Sequence, residues 1–311
     1  MSELLEKSIS EAQSELKTIR DILRFGLSLF NKYNLFYGHG TTNSYDEVIY
    51  LILHNLALPV DFDLNIFMDT VLLKTELNSI LNNFVTRIKS HKPAPYITNQ
   101  AFLQGYRFYI DERSIIPRSF IPEILLNDII NPWLEKIYVS NILDLCTGNG
   151  SIAIIASDYF PEAKVFATDI DSSALEIAQI NVRDYSLDNR ITIVQSDLFK
   201  NIPMHKFNII FSNPPYVDKR RMELLTEEYK YEPQIALYGG ENGLQFVKDI
   251  INNALNFLSQ DGILIVEIGD NKEELEACYE HLGFTWLETQ NNQGFVFLLT
   301  YEQIDNYFKI N

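Results

Sequence analysis

From Leu4 to about Phe30, apolar residues recur at helical spacing through Leu5, Ile9, Ala12, Leu16, Ile19, Leu23, Leu27 and Phe30, with charged residues between them. A one-sided stripe of this kind predicts an amphipathic helix or helix pair. After the turn-rich stretch Tyr37-Gly38-His39-Gly40-Thr41-Thr42-Asn43-Ser44, Asp46 and Glu47 precede an apolar run to His54; acids in a first turn suit a helix start. A third helical pattern runs from about Leu64 to Ile88. Residues 1–92 therefore read as a small helical domain. The prolines of His91-Lys92-Pro93-Ala94-Pro95-Tyr96 are expected to stop helix formation. The next stretch, 101–110, is aromatic and partly alternating, and polar residues 111–114 then precede Ile115-Ile116. A linker over 93–116 carrying a connecting β-hairpin fits this pattern.

From 117 onward the pattern becomes strand and helix in alternation. Ser119 can cap a helix to about Ile130, closed by Pro132-Trp133. Short apolar runs at 141–145, 164–168, 191–194, 207–212 and 263–268 read as buried parallel strands, with a helix near 244–258 before the last. Residues 284–288 and 295–299 predict a terminal antiparallel hairpin through Asn291-Asn292-Gln293-Gly294. The fold class expected is α/β: seven strands in a Rossmann-like sheet over 117–311, behind a helical domain.

Open α/β sheets bind ligands outside the carboxyl ends of their strands, so chemistry is expected of the residues there. The first strand ends in Asp144-Leu145-Cys146-Thr147-Gly148-Asn149-Gly150, where the glycines permit a tight turn close to a ligand and Asp144 is expected to face the cleft. The second strand ends at Asp169, 25 residues beyond Asp144, placed to bond both hydroxyls of a ribose. Asp171 is the better cap for the helix that follows. After the third strand, Asp197 can accept an adenine amine while Leu198 covers the ring. The fourth strand ends in Asn213-Pro214-Pro215-Tyr216. Here the Asn213 side chain and the Pro214 carbonyl can each accept one N–H of a planar NH₂ group, the prolines stiffen the corner, and Tyr216 offers a flat face. A nucleoside cradle beside an amide-orienting pocket describes methyl transfer from S-adenosylmethionine. The loop lacks the full Gly-x-Gly-x-x-Gly form of the dinucleotide folds. The long charged segment 218–240 is expected to form a flap at the substrate mouth.

Composition narrows the partner. Lys+Arg 25 against Asp+Glu 42 gives a net charge of −17, which opposes stable nucleic-acid binding and favours a basic protein. Cys146 and Cys278 stand far apart and form no metal-ligand or redox spacing, and His39 and His54 lack partner ligands, so no metal site is expected. With neither a secretory signal nor a spanning apolar run, a soluble cytoplasmic protein is expected.

The glycine loop, Ser212-Asn213-Pro214-Pro215-Tyr216-Val217 and Glu232-Pro233-x-x-Ala236-Leu237 together resemble the bacterial PrmB/HemK group of protein-glutamine methyltransferases, over nearly the whole chain. Tyr37-Gly38-His39-Gly40-Thr41-Thr42-Asn43 with Asp46-Glu47, and the Cys146 form of the loop, lean toward the PrmB branch. That branch methylates a glutamine of ribosomal protein uL3; the PrmC branch acts on release factors. Asn149-Gly150-Ser151 departs from the Ser-Gly-Cys common in PrmB, with the glycines kept. The resemblance implies cofactor contacts at Asp144, Cys146, Thr147, Gly148, Asn149, Gly150, Asp169, Asp197, Leu198 and Asn213. It implies that Asn213, Pro214 and Tyr216 orient the glutamine for catalysis, that Pro215 adds a substrate contact, and that domain 1–92 recognises the substrate. The product would be S-adenosylhomocysteine. Glutamine methylation of peptide release factors, amino-adenine methylation of nucleic acid, and a scaffold with a vestigial site are the rival readings.

Overall fold

A computed structural model of the chain describes residues 2–135, 137–203, 205–290 and 293–310. The chain divides into two compact units: 1–100 together with 226–231, and 101–225 together with 232–311.

The first unit is helical. Its long helices are Ser2–Glu15, Ile19–Lys32, Ser44–Asn55 and Lys74–Ser90. Thr18 and Asp21 form a capping box at the second, which splits the first apolar stripe into two helices. Asn43 caps the third by accepting from Asp46 N. Gly26 lets helices approach closely, since a Cβ there would lie 2.6 Å from the Phe84 ring and 2.9 Å from Val48. The third pattern is not one helix: a 3₁₀ turn covers Leu64–Phe67, and the helix proper starts at Lys74. Nor do the prolines end helical structure. His91, left-handed at φ 59°, ends the long helix, and Ala94–Thr98 forms a short one with Pro95 in its first turn, where no backbone donor is needed.

Charge lies at the centre of this unit. Arg87, 1% exposed, donates to Glu47 Oε1 at 2.7 Å, to Glu228 Oε1 at 3.1 Å and to the Phe36 carbonyl at 2.7 Å. Glu228 also accepts from Phe36 N at 3.0 Å, and Glu47 from Thr41 Oγ1 at 3.2 Å. The network spans the glycine turn at 38–40 and explains how the segment 226–231 joins the helical unit.

The second unit opens with a two-stranded sheet, β1 (Gln100–Leu103, beginning at the last residue of the first unit) and β2 (Tyr106–Tyr109). Gln104 and Gly105 between them are both left-handed, φ 51° and 82°, as a type I′ turn requires. The turn thus falls inside the aromatic stretch, and Ile115-Ile116 forms no strand. Two short helices, Ile121–Leu126 and Asn131–Leu134, stand where one was expected; Asp128 at φ 59° interrupts them, and Pro132 sits in the first turn of the second.

The main sheet contains β3 (Asn141–Leu145), β4 (Lys164–Asp169), β5 (Ile191–Gln195), β6 (Phe207–Ser212), β7 (Leu258–Glu267), β8 (Thr285–Leu287) and β9 (Val296–Thr300). Their order is β5-β4-β3-β6-β7-β9-β8, parallel except for the pairs made by β9. This is the expected seven-stranded Rossmann-like sheet with its terminal antiparallel pair. The expected loop residues Asn291 and Asn292 lie outside the described residues. Both faces are covered: Ile142, Ile209 and Ile265 pack into one core, Leu143, Ile210 and Leu264 into the other. Burial on both faces is why these runs read as continuously apolar. The strand order reverses at β3, between β4 and β6, which places the ligand crevice at the carboxyl ends of these three strands.

Replacing Arg87 with Ala leaves two buried carboxylates without their cation. The expected cost to the helical unit is about 3–5 kcal/mol, read as a lowered denaturation midpoint that an Arg87→Lys change recovers only in part.

Candidate active site

In the parallel ladder, Leu145 stands opposite Thr168 on one side and Ser212 on the other, and Asp169 stands opposite Gln195. The loops after β3, β4, β5 and β6 therefore leave the sheet at one edge. They enclose a cleft of about 780 Å³, counted to its open mouth, lined by Cys146, Gly148, Asp169, Asp197, Leu198, Asn213 and Pro215 among others.

The glycine loop is fixed from below and behind. Asp144 is fully buried and does not face the cleft as expected. Its Oδ2 accepts from Thr147 Oγ1 at 2.5 Å and from Ala153 N at 3.1 Å, so it bends the loop and holds the next helix. Burial pushes its carboxyl up to about 7. Thr147, Asn149 and Gly150 are likewise outside the lining. Asn149 donates to the Ile115 carbonyl at 2.9 Å and accepts from Ser151 N at 3.0 Å, tying the loop to segment 113–116. Gly150 adopts a φ of 82°, which strains any side chain, and a Cβ there would already sit tightly, 3.3 Å from that of Ala178. Cys146 lines the cleft in a left-handed conformation, φ 57°, and burial raises its thiol well above the ordinary range, so it stays neutral.

Asp169 does reach the cleft. Its Oδ2 accepts from Gly148 N at 2.9 Å and its Oδ1 from Asp171 N at 3.0 Å. These bonds orient the carboxyl while each oxygen keeps a lone pair for a hydroxyl. Asp171 caps its helix through Ser173 N at 2.8 Å, leaving Asp169 free of that role. Ile170 and Leu198 supply apolar lining beside Asp197. Asp169 and Asp197, with the apolar Ile170 and Leu198 on the same lining, suit a ribose and a purine.

Asn213 lines the same cleft as Gly148 and Asp169. Its Oδ1 is buried and receives no hydrogen bond from any described residue. A buried amide oxygen left without a donor costs about 1–3 kcal/mol unless something supplies an N–H. Pro214 is buried behind it.

Tyr216 is placed differently from the expected flat platform. It is not part of the lining; its ring packs on Gly269, where a Cβ would come within 2.8 Å, and its hydroxyl bonds Glu267. Its carbonyl accepts from Asn271 Nδ2 at 3.0 Å, and Cβ atoms at Gly239 or Gly243 would strike its backbone at 2.7 and 2.3 Å. Tyr216 is a peg in a glycine-lined socket. Glu267, at the end of β7, also accepts from Ser119 Oγ at 2.7 Å and Phe120 N at 2.9 Å, and burial pushes it up to about 7.

The matching family model, Methyltransferase small domain, covers residues 124–229. The chain is 50% identical to the ribosomal protein uL3 glutamine methyltransferase of Neisseria meningitidis (strain Z2491), over 95% of this chain and 97% of that one. It is 41% identical to the protein of the same name from Bordetella pertussis, over 94% and 98%. The chain belongs to the uL3 glutamine methyltransferase family. Among solved structures, the hMettl16 catalytic domain in complex with a MAT2A 3′UTR hairpin is similar over 73% of this chain and 81% of that one, at 14% identity and a TM-score of 0.49, too loose to carry an inference.

Several lining residues of this methyltransferase escaped the motif reading. Arg113, Ser114 and Ile115 form one wall, and Phe246 another. Pro233, Ile235 and Ala236 line it as well, within the segment read as a flap. That segment is pinned: Glu232 accepts from Ile116 N at 3.1 Å and from both terminal nitrogens of Arg118, and Val217 N donates to the Leu237 carbonyl at 2.9 Å. No local signal marks Arg118 as the partner of Glu232. Among the described residues no cluster could hold a metal ion, and no helix is long and apolar enough to cross a membrane.

Two outcomes follow from the socket. Because the folded carboxyl of Glu267 titrates at about 7 and an unfolded one near 4.3, the proton it retains stabilises the fold below that lower value. This contribution is lost as pH rises through 7. Glu267→Gln, permanently neutral, should gain thermal midpoint relative to the parent between pH 5 and pH 8; a constant difference would contradict this. Gly269→Ala, at φ 56° and against the Tyr216 ring, should cut turnover at least tenfold, about 1.4 kcal/mol, while donor affinity measured by calorimetry stays within a factor of two.

Proposed function

We propose that the chain transfers a methyl group from S-adenosylmethionine to the side-chain amide nitrogen of a glutamine in ribosomal protein uL3. The observation that carries this reading is the unpaired, buried Oδ1 of Asn213 on the wall of a cleft that also holds the Asp169 carboxylate.

The bound donor supplies a methyl group on a sulfonium, an electrophilic carbon with a neutral leaving group. Asp169 takes the ribose hydroxyls, and Asp197 with Leu198 holds the purine. The loop at Cys146 and Gly148, the two of its residues that line the cleft, would lie against the remainder of the donor, which is why Gly148, φ 55°, needs its left-handed turn. Asn213 Oδ1 accepts one N–H of the glutamine carboxamide and the Pro214 carbonyl accepts the other. An amide nitrogen held by both hydrogens cannot rotate, so its weakly available electron pair faces the incoming carbon. As the N–C bond forms, the nitrogen develops positive charge and its N–H groups become stronger donors. The bonds to Asn213 and Pro214 tighten in the transition state more than in the ground state. The surplus proton leaves to a carbonyl or to solvent at the mouth. Tyr216 contributes through position: fixed in its socket, it sets where the Asn213 corner stands.

Asn213→Ala is expected to lower turnover by about 10² or more, the worth of one oriented partner in a transition state, with donor binding preserved. Asp169→Ala should do the reverse, weakening donor binding at least tenfold. Radiolabelled methyl donor offered in parallel to uL3, release factors and DNA decides the acceptor. Label on release factors or DNA in place of uL3 would overturn the assignment.

A further inference from the structure

Two residues on the wall of the methyl-transfer cleft, Ile235 and Phe246, also line a second groove, together with Lys219, Met222, Glu223 and Tyr238 among others. The groove measures about 970 Å³, counted to its open mouth, and all of its lining belongs to the second unit. Met222, Ile235, Tyr238 and Phe246 give it an apolar wall, in which Ile235 is 50% and Tyr238 37% exposed. Backbone joins this wall to the corner that carries Asn213. Val217, next after the Asn-Pro-Pro-Tyr run, pairs with Tyr238: Val217 N donates to the Leu237 carbonyl and Gly239 N to the Val217 carbonyl, each at 2.9 Å. Gly239 permits the approach, since a Cβ there would lie 2.7 Å from Tyr216 Cα. Tyr238 N closes the short turn Gln234–Ala236 on the Gln234 carbonyl at 3.0 Å. The groove and the Asn213 corner thus share one framework, with little ordering left to oppose binding.

Continuity with the cleft determines what lies in the groove. A polypeptide that sends a glutamine side chain into the cleft continues across its mouth. In an extended chain, side chains two residues apart project to the same side, about 7 Å from each other. The side chain at that spacing meets the enzyme beside the glutamine, where the shared Ile235 and Phe246 open the groove. Charge makes no selection there. Lys219, Arg220 and Arg221 stand against Asp218, Glu223 and Glu241, with Lys219 on Glu241 at 3.1 Å and Arg221 on Asp218 at 3.3 Å. A balanced rim offers little grip to a phosphate backbone and leaves apolar burial as the driving force.

We propose that this groove is a specificity subsite that takes an apolar side chain two residues from the methylated glutamine of the protein acceptor. The subsite deepens the reading of uL3 as that acceptor and rests on it. It is tested with the full chain and purified uL3, the labelled glutamine being located by mass spectrometry of the product. In uL3, the residue two positions before that glutamine and the residue two positions after it are then changed, one at a time, to Asp. Each form is assayed with the parent, Tyr238→Ser and Met222→Ser/Tyr238→Ser. Neither changed enzyme position lines the cleft, and matching thermal melts and donor affinities establish that the variants fold. Tyr238→Ser alone serves where the Met222 change disturbs the fold. With the parent, Asp at one of the two acceptor positions should lower kcat/KM at least about tenfold. The double variant should lose about tenfold on unchanged uL3 and then be indifferent to that Asp, the non-additivity that direct contact produces. A merely structural role would lower activity on every form of uL3 by the same factor. Equal methylation of uL3 with Asp at either position, or losses that simply add, would overturn the subsite and leave the acceptor assignment standing. A parent dimer lost in the double variant, with kcat/KM for uL3 unchanged, would assign the groove to self-association instead. No label on uL3 from the parent would sink the acceptor assignment, and the subsite with it.

Discussion

Backbone hydrogen bonds between β3, β4, β5 and β6 set the register that the candidate site depends on. With Leu145 between Thr168 and Ser212, the carboxyl ends of neighbouring strands finish level, and the residues after them converge without any long-range side-chain guidance. A slip of one residue in any of these strands would send its next side chains to the opposite face. The sheet resists that slip because both its faces are buried, Ile142 and Ile209 in one core and Leu143 and Ile210 in the other. Dense packing at the middle of the sheet thus sets the precision at its edge.

On that level edge, two buried carboxyls perform different tasks from the exposed ones. Asp144 and Glu267 both lie out of contact with water, and both are pushed up to about 7 by burial. Asp144 accepts from Thr147 and Ala153 nearby and fixes the glycine turn, while Glu267 reaches across the chain to Ser119 and Phe120 and holds the peg of Tyr216. Asp169 accepts two backbone N–H groups as well, but it borders the cleft. What separates a carboxyl that only shapes a loop from one that can meet a ligand is whether the cleft reaches it.

The acidic surplus is distributed with the same economy. In the helical unit, Glu47 and Glu228 are neutralised internally by Arg87, and Asp69 pairs with Arg20 at the surface.

The strands, the helical unit, the glycine loop and the Asn213 corner were all legible in the sequence, because each is encoded by local periodicity or by residues with restricted backbone angles. The glycines of the loop and the prolines of the Asn213 corner restrict the backbone locally, and an apolar run of five or six residues announces a buried strand, whereas Pro93 and Pro95 open a helix where they were expected to end one. What the tertiary structure alone decided was the fate of polar groups whose partners are remote. Glu232 meets Ile116 and Arg118, Glu267 meets Ser119, and Glu228 meets Arg87, each across more than one hundred residues. The same holds for Tyr216 seated among glycines and for segment 226–231 joining the helical unit. Burial leaves a mark on the sequence because the side chain itself must be apolar; the choice of one hydrogen-bond partner among many leaves none, since it is settled only when the chain has closed around it.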